Sequence, residues 1–176
     1  IATAIMEYPA DGSVPHPVFE AEVPTEAQEG GEAVFQRIEA SIKAALEANP
    51  DVEVLGVGIG AAGVVDPKTG AIAYANEIMP GWSGVQLGPR LREDLGLPVA
   101  VVGDVQAHAL GEAHWGVGKG KFSVLCLGIG SGIGGAYVEN GRVMQGIHGA
   151  AGHMGHIECS AAAGIPCACG RSGHLE

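Results

Sequence analysis

The residues of this chain best suited to chemistry crowd into its last quarter, residues 146–176, GIHGAAGHMGHIECSAAAGIPCACGRSGHLE. This Gly-rich stretch holds His148, His153, His156 and His174, together with Cys159, Cys167 and Cys169. One residue separates Cys167 from Cys169, and His174 lies five positions beyond. His156 lies eleven positions before Cys167 and is the natural fourth member. Thiolates and imidazoles are the ligands that Zn2+ takes in a closed tetrahedron, and a closed site is structural rather than catalytic. His156, Cys167, Cys169 and His174 therefore predict a structural zinc site, although their spacing is not that of a common zinc finger. Cys159 and His153 stand as substitute ligands, Cys126 sits in an apolar run and reads as core, and His148 has no assigned role.

A second candidate is Asp104, which follows the apolar run Pro98-Val99-Ala100-Val101-Val102 and Gly103. A carboxylate at the C-terminal end of a strand, just before a helix, is where open α/β sheets place reactive groups. Such a carboxylate can serve as a general base. Asp104 is equally well placed to N-cap the helix that follows. The third candidate is the run Gly128-Ile-Gly-Ser-Gly-Ile-Gly-Gly135. Closely spaced backbone N–H groups and a hydroxyl can cradle phosphate; the same glycines also suit a tight turn in a packed sheet. A dinucleotide fingerprint needs a helix after its glycines. Here a β-like run and the hairpin signal Asn140-Gly141 follow instead.

These candidates need elements to position them. An apolar strand over 1–6 gives way to turn residues at 8–12, and an alternating, edge-like strand follows over 19–23. Gly30-Gly31 opens a helix with Val34, Ile38, Ile42, Ala45 and Leu46 on one face, stopped by Asn49-Pro50. A buried strand over 52–59 then completes a β-α-β unit. Residues 60–84 show little periodicity, and so long a connection points to function or to a surface excursion with a short hairpin around Pro67–Gly70. A helix over 85–95, a strand over 98–102, a helix over 105–115 and a strand over 122–127 come next. His108 and His114 fall on the helix after Asp104 and read as surface or capping residues.

The chain has 176 residues, 47% hydrophobic and 16% charged, with net charge −11. It is long enough for one good core or two small ones and too hydrophobic for disorder. No apolar run approaches the roughly 18–20 residues of a membrane span. The acidic balance argues against a phosphate-backbone binder. Two cysteines so close together, with no signal peptide, suit thiolate–metal ligation in a reducing cytoplasm better than a disulfide framework. The first residue is Ile1 and nothing closes the chain after Glu176, so continuation at both ends is expected.

GVGIGAAGVVDPKTG, PVAVVGDVQAHALGE, GIGSGIGGAYVENGRVMQG and the segment 149–176 together resemble the ROK family of repressors, open reading frames and sugar kinases. The resemblance implies an α/β, actin/hexokinase-like (ribonuclease H-like) fold of two lobes, here incomplete. Residues 1–103 would be the N-terminal lobe and 104–176 the start of the C-terminal lobe with the zinc loop. It implies an ATP-dependent kinase, with Mg2+ on the nucleotide, acting on a hexose or N-acylhexosamine, and Asp104 as the base that deprotonates the sugar hydroxyl. Gly63, Asn76, His156 and Glu176 match sugar-site positions. Gly130, Ser131 and Gly132 match the phosphate-binding turn, with Ser131 where the family usually has Thr. His156, Cys167 and Cys169 match zinc ligands.

Three departures accompany the match. The usual third cysteine of the zinc loop is His174, an acceptable ligand. The Asn normally preceding the catalytic Asp is Gly103, and the Glu of the usual Gly-Glu-x-Gly-His is His153. Two lost sugar contacts, if nothing replaces them, would each weigh on the order of 1–3 kcal/mol; either the substrate differs from the usual hexose or His153 recruits a different hydroxyl or acidic group. The family's first phosphate loop and its adenosine-holding lobe would lie before Ile1 and after Glu176. Two alternatives stay open: the sugar-sensing half of a repressor with an upstream helix-turn-helix, and an inactive sugar-binding homologue. A homodimer or homotetramer in the cytoplasm, with no membrane partner and no nucleic-acid partner unless that helix-turn-helix exists, completes the expectation.

Overall fold

A computed structural model of the chain describes residues 1–130 and 132–176. Strands β1 (Ala2–Glu7) and β2 (His16–Glu22) form an antiparallel hairpin with Ala2 opposite Glu22. Period-two alternation half-buries Thr3, Ile5, Phe19 and Ala21 while their neighbours stay exposed. Helix α1 (Gly31–Ala48) packs across this hairpin, and Thr3 Oγ1 lies 2.7 Å from Ser41 Oγ. Val34, Phe35, Ile42 and Ala45 form its buried stripe. Gly31 is required at its start, because a Cβ there would lie 2.1 Å from Gly81 O. Asn49 ends the helix, its Nδ2 donating to Ala45 O at 2.8 Å.

Strand β3 (Val57–Ala61) runs parallel to β6 (Val99–Gly103), with Val57 opposite Val99 and Ala61 opposite Gly103. The expected strand 52–59 thus begins five residues late and runs two further. Its start is set by its partner: the Val57 N–H donates to Pro98 O at 2.8 Å, whereas Val52 and Leu55 are exposed. The expected β-α-β unit across α1 is also corrected. Among the described residues β3 bonds to β6, and the parallel crossover runs through α2 (Leu87–Leu95).

Residues 60–84 are not a surface excursion. They contain the hairpin of β4 (Val64–Val65) and β5 (Ile72–Tyr74), closed by Asp66 Oδ1, which accepts N–H groups from Lys68 and Thr69. Ile72 and Trp82 are buried in the main core beside Val34, Phe35, Leu87, Leu91 and Val101. The Trp82 indole N–H donates to Ala62 O at 3.1 Å, so its one polar atom is satisfied. Arg92 of α2 donates to Thr69 O and Val99 O, both at 2.9 Å, and ties this hairpin to β6.

Helix α3 (Asp104–His114) leads to a second core of Ala109, Ala136 and Val138, with Cys126 packed against it as expected. Strands β7 (Ser123–Ile129), β8 (Ile133–Glu139) and β9 (Arg142–Val143) form its antiparallel sheet. The β8–β9 turn has Asn140 and Gly141 at φ 49° and 72°, as an Asn-Gly hairpin requires. His114 Nε2 lies 3.0 Å from Gly141 O, while His108 is exposed. Helix α3 is wedged between the two sheets. A Cβ on Gly60 would lie 3.1 Å from Ala107 Cβ, and one on Gly134 would lie 2.6 Å from Val105 Cγ2. Among the described residues no helix is long and apolar enough to cross a membrane.

Candidate functional site

The parallel strands β3 and β6 end at the same level, and the backbone turns there into α3. Gly103, not Asp104, is the N-cap of this helix. The expected capping role of Asp104 is therefore corrected: the Gly103 N–H donates to Gln106 Oε1 at 3.1 Å. Asp104 is the first helical residue, exposed, with Oδ1 accepting the adjacent Val105 N–H at 2.7 Å and no other partner among the described residues.

A cavity of about 40 Å3 opens beside it, lined by Gly63, Gly103, Val105, Gln106, Gly134, Gly135, Gly149 and His153. That is room for about one water, whose share of the liquid is roughly 30 Å3, so a larger ligand would sit in the open mouth. Glycines bring the walls together. Gly63 has φ 93° and a Cβ there would lie 2.5 Å from Tyr74 O; at Gly149, with φ 75°, it would lie 1.9 Å from Val65 O. Asp104 is not part of the cavity wall, but both its chain neighbours, Gly103 and Val105, are, and its carboxylate lies near enough to His153 to act on the imidazole. The His153 side chain is exposed by surface area, but desolvation by the groups packed around it still pushes its pKa down, the neighbouring His156 pushes the same way, and Asp104 and Glu176 only partly oppose them. The His153 and His156 rings stack with centroids 6.1 Å apart.

The four expected metal ligands come together. His156 Nδ1 lies 3.4 Å from His174 Nδ1 and 3.6 Å from Cys167 Sγ, and His174 Nδ1 lies 3.4 Å from Cys169 Sγ. A tetrahedron with Zn–N and Zn–S bonds of about 2.0–2.3 Å has edges of about 3.3–3.8 Å. These three edges fall in that range, and all four donor atoms lie within 4.8 Å of one another. The bridges Glu158–His174 and Pro166–Ser172 fold the segment back on itself so that this convergence occurs. Cys159 and His153, the substitute ligands, lie outside the set. The Cys169 N–H stabilises the Cys167 thiolate, but burial, the Cys169 thiol and Glu176 outweigh it and push the thiol up. A bound divalent cation reverses that balance.

Glu176 joins this cluster to the Gly-rich turn. Its Oε1 lies 3.3 Å from both Cys167 Sγ and His156 Nδ1, while Oε2 accepts the Ile133 N–H at 3.3 Å. The turn itself is more committed than its glycines suggest. The Gly130 N–H donates to Gly132 O at 2.9 Å, and Gly128 and Gly134 make room for Val105. Ser131 lies outside the described residues. Asn76 does not line the cavity; its Oδ1 accepts the Ile78 N–H at 3.3 Å in a local turn. Sequence reasoning missed Gln106, a polar side chain only 5% exposed whose Nε2 also reaches Gly149 O at 3.4 Å. Its available signal was a Gln three positions after the strand-ending Gly103, the place from which a side chain reaches back to an N-cap.

The chain resembles known proteins along most of its length. It is 37% identical to a glucokinase from Halalkalibacterium halodurans over 88% of this chain and 47% of that protein. A putative xylose repressor from Caldicellulosiruptor is 35% identical over 82% of this chain and 35% of the repressor. The crystal structure of a ROK family glucokinase from Streptomyces griseus, in complex with glucose and AMPPNP, superposes with a TM-score of 0.73. That match has 31% identity and covers 94% of this chain and 50% of the other. The chain thus spans about half the length of its glucokinase relative and has the α/β, actin/hexokinase-like fold of the ROK hexokinases. The ROK family model matches residues 17–176, and the chain belongs to the ROK family.

Proposed function

We propose that the whole protein is an ATP-dependent sugar kinase that transfers the γ-phosphoryl group to a hydroxyl of a hexose or N-acylhexosamine. The observation that carries this reading is the state of Asp104: exposed just past the end of a parallel strand, outside the N-cap position that Gly103 holds, between two residues of the cavity wall and near His153. In this reading Asp104 accepts the hydroxyl proton as the sugar oxygen bonds to the γ-phosphorus, and the bond from that phosphorus to the β–γ bridging oxygen breaks, releasing ADP. Residues 1–103 form one lobe and residues 104–176 begin the other, with the cleft between them. The glucokinase relatives support ATP as donor, with Mg2+ neutralising its phosphates. The turn at Gly130, Ser131 and Gly132 contacts those phosphates, while Gly63, His156 and Glu176 contact the sugar. His153, an imidazole kept neutral, accepts or donates a different hydrogen bond from a carboxylate and shifts the choice of sugar.

His156, Cys167, Cys169 and His174 hold a structural Zn2+, and the supporting fact is the tetrahedral spacing of their donor atoms. The cation stiffens the loop that carries His153, His156 and Glu176. A screen of the full-length protein with ATP across hexoses and N-acetylated amino sugars, read by ADP release, tests the kinase. Turnover of one sugar is expected, and no turnover with any would overturn it. A second reading, the sugar-sensing half of a repressor, is favoured by the likeness to the Caldicellulosiruptor protein. It requires a helix-turn-helix elsewhere in the full-length chain and sugar binding without ADP release.

A further inference from the structure

The buried amide of Gln106 occupies the space beside a residue with no side chain. A Cβ built on Gly103 would lie 3.5 Å from Gln106 Oε1 and 3.6 Å from its Cδ and Cγ. A longer side chain at 103 would therefore have to share or displace that position. Gln106 is only 5% exposed, yet it lines the cavity together with Gly103 and His153. A primary amide has two N–H donors and two acceptor lone pairs. One lone pair takes the Gly103 N–H at 3.1 Å, and one N–H reaches Gly149 O at 3.4 Å. Among the described residues nothing takes the other donor and lone pair of this group, which is held at both ends.

We propose that Gln106 is a substrate-contacting, specificity-determining residue, its remaining amide N–H donating to one sugar hydroxyl beside Asp104. This rests on the sugar-kinase reading above. The side chain enters from the first turn of α3, so the contact and Asp104 are fixed by the same helical turn. Gln106 and Gly103 both line the cavity, so no side chain from position 103 stands between the buried amide and a group that enters it. Holding a donor in place before the ligand arrives favours selection between hydroxyl positions, since an analogue lacking that hydroxyl leaves a buried N–H unpaired.

The test uses the full-length protein and a series of monodeoxy analogues of its accepted sugar. In the wild type, one analogue is expected to lose about 10–100-fold in kcat/KM. In Gln106→Met, which keeps the volume and removes the amide, the parent sugar falls by a similar factor and that analogue's extra loss disappears. Gln106→Glu keeps an acceptor for the Gly103 N–H but offers no amide donor, and it should reproduce the result if the Met variant fails to fold. A variant that slows all sugars in unchanged ratio has lost only a helix cap, and that result overturns the inference while leaving the kinase standing. A wild type that phosphorylates no sugar overturns both.

Discussion

Glu176 accepts the Ile133 N–H at 3.3 Å with one carboxylate oxygen while the other lies 3.3 Å from Cys167 Sγ. The start of β8 and the Cys/His loop are thus tied through one side chain. Glu176→Ala should speed hydrogen exchange at the Ile133 amide about 5–10-fold, the loss of one hydrogen bond of roughly 1 kcal/mol. Exchange at the wild-type rate would mean that the tie is not kept in solution.

Purified protein should contain about one zinc per chain if the four-ligand site forms. Cys167→Ser and His174→Ala should each release it on dialysis. Because the Cys167 thiol is pushed up and must lose its proton to bind, zinc affinity should fall as pH drops. Metal analysis at several pH values checks this, and a zinc-free, fully folded wild type would refute it.

Asp104→Asn should slow phosphoryl transfer by about 10^2–10^4-fold, the usual contribution of a general base. Its side chain is exposed and, among the described residues, bonded only to Val105 N–H, so stability should change by no more than about 0.3–1 kcal/mol from the helix dipole. Unchanged turnover in a coupled assay would remove it from the mechanism.

Although its side chain is exposed, His153 should titrate below the ordinary value of 6.5, because desolvation by the groups around it and the neighbouring His156 disfavour its charge. The unfolded chain then binds more protons than the folded one at and below pH 6.5, so stability falls as pH drops through that range and levels off above it. An NMR titration of the imidazole gives the midpoint, and a midpoint at or above 6.5 would be inconsistent with this environment. His153→Gln should flatten the corresponding part of the stability profile.

Gly149→Ala should destabilise the fold far more than Gly84→Ala. Both glycines have positive φ, 75° and 87°, so both substitutions carry a left-handed strain of about 1–3 kcal/mol. Only at Gly149 would the methyl meet a backbone oxygen, Val65 O at 1.9 Å; at Gly84 nothing lies within 4 Å. Equal shifts in urea midpoint would show that the approach of this loop to β4 is not tight.

The elements were legible where one face is buried. Helix α1 follows from Val34, Ile38 and Ile42, and the β8–β9 hairpin from Asn140-Gly141. In the segment 60–84 the short hairpin around Pro67–Gly70 was legible, but its place in the core was not, because Ile72 and Trp82 sit on two-to-three-residue strands and turns with no period to read. The start of β3 was set by a partner forty residues away, which no local pattern carries. The metal set was legible because Cys and His are rare and chemically distinctive. The role of Gln106 was hidden, since a glutamine in a helix is ordinary until burial and its two backbone partners are known. The glycines of 128–135 fall in the strand–turn–strand that the sequence suggests; Gly134 and Gly135 belong to β8 and make room for Val105 and for Met154 and Gly152 O.

Residues 153–176 bury only Gly155, Cys167 and Gly173, so very little apolar area holds this segment in place. With zinc bound as proposed, its order is governed by mass action rather than by packing. Each tenfold rise in free zinc above the dissociation constant adds about 1.4 kcal/mol to the ordered state. The wall of the cavity at His153 would then report the zinc concentration of its surroundings, and a change in metal supply alone would alter the fraction of molecules competent to bind sugar.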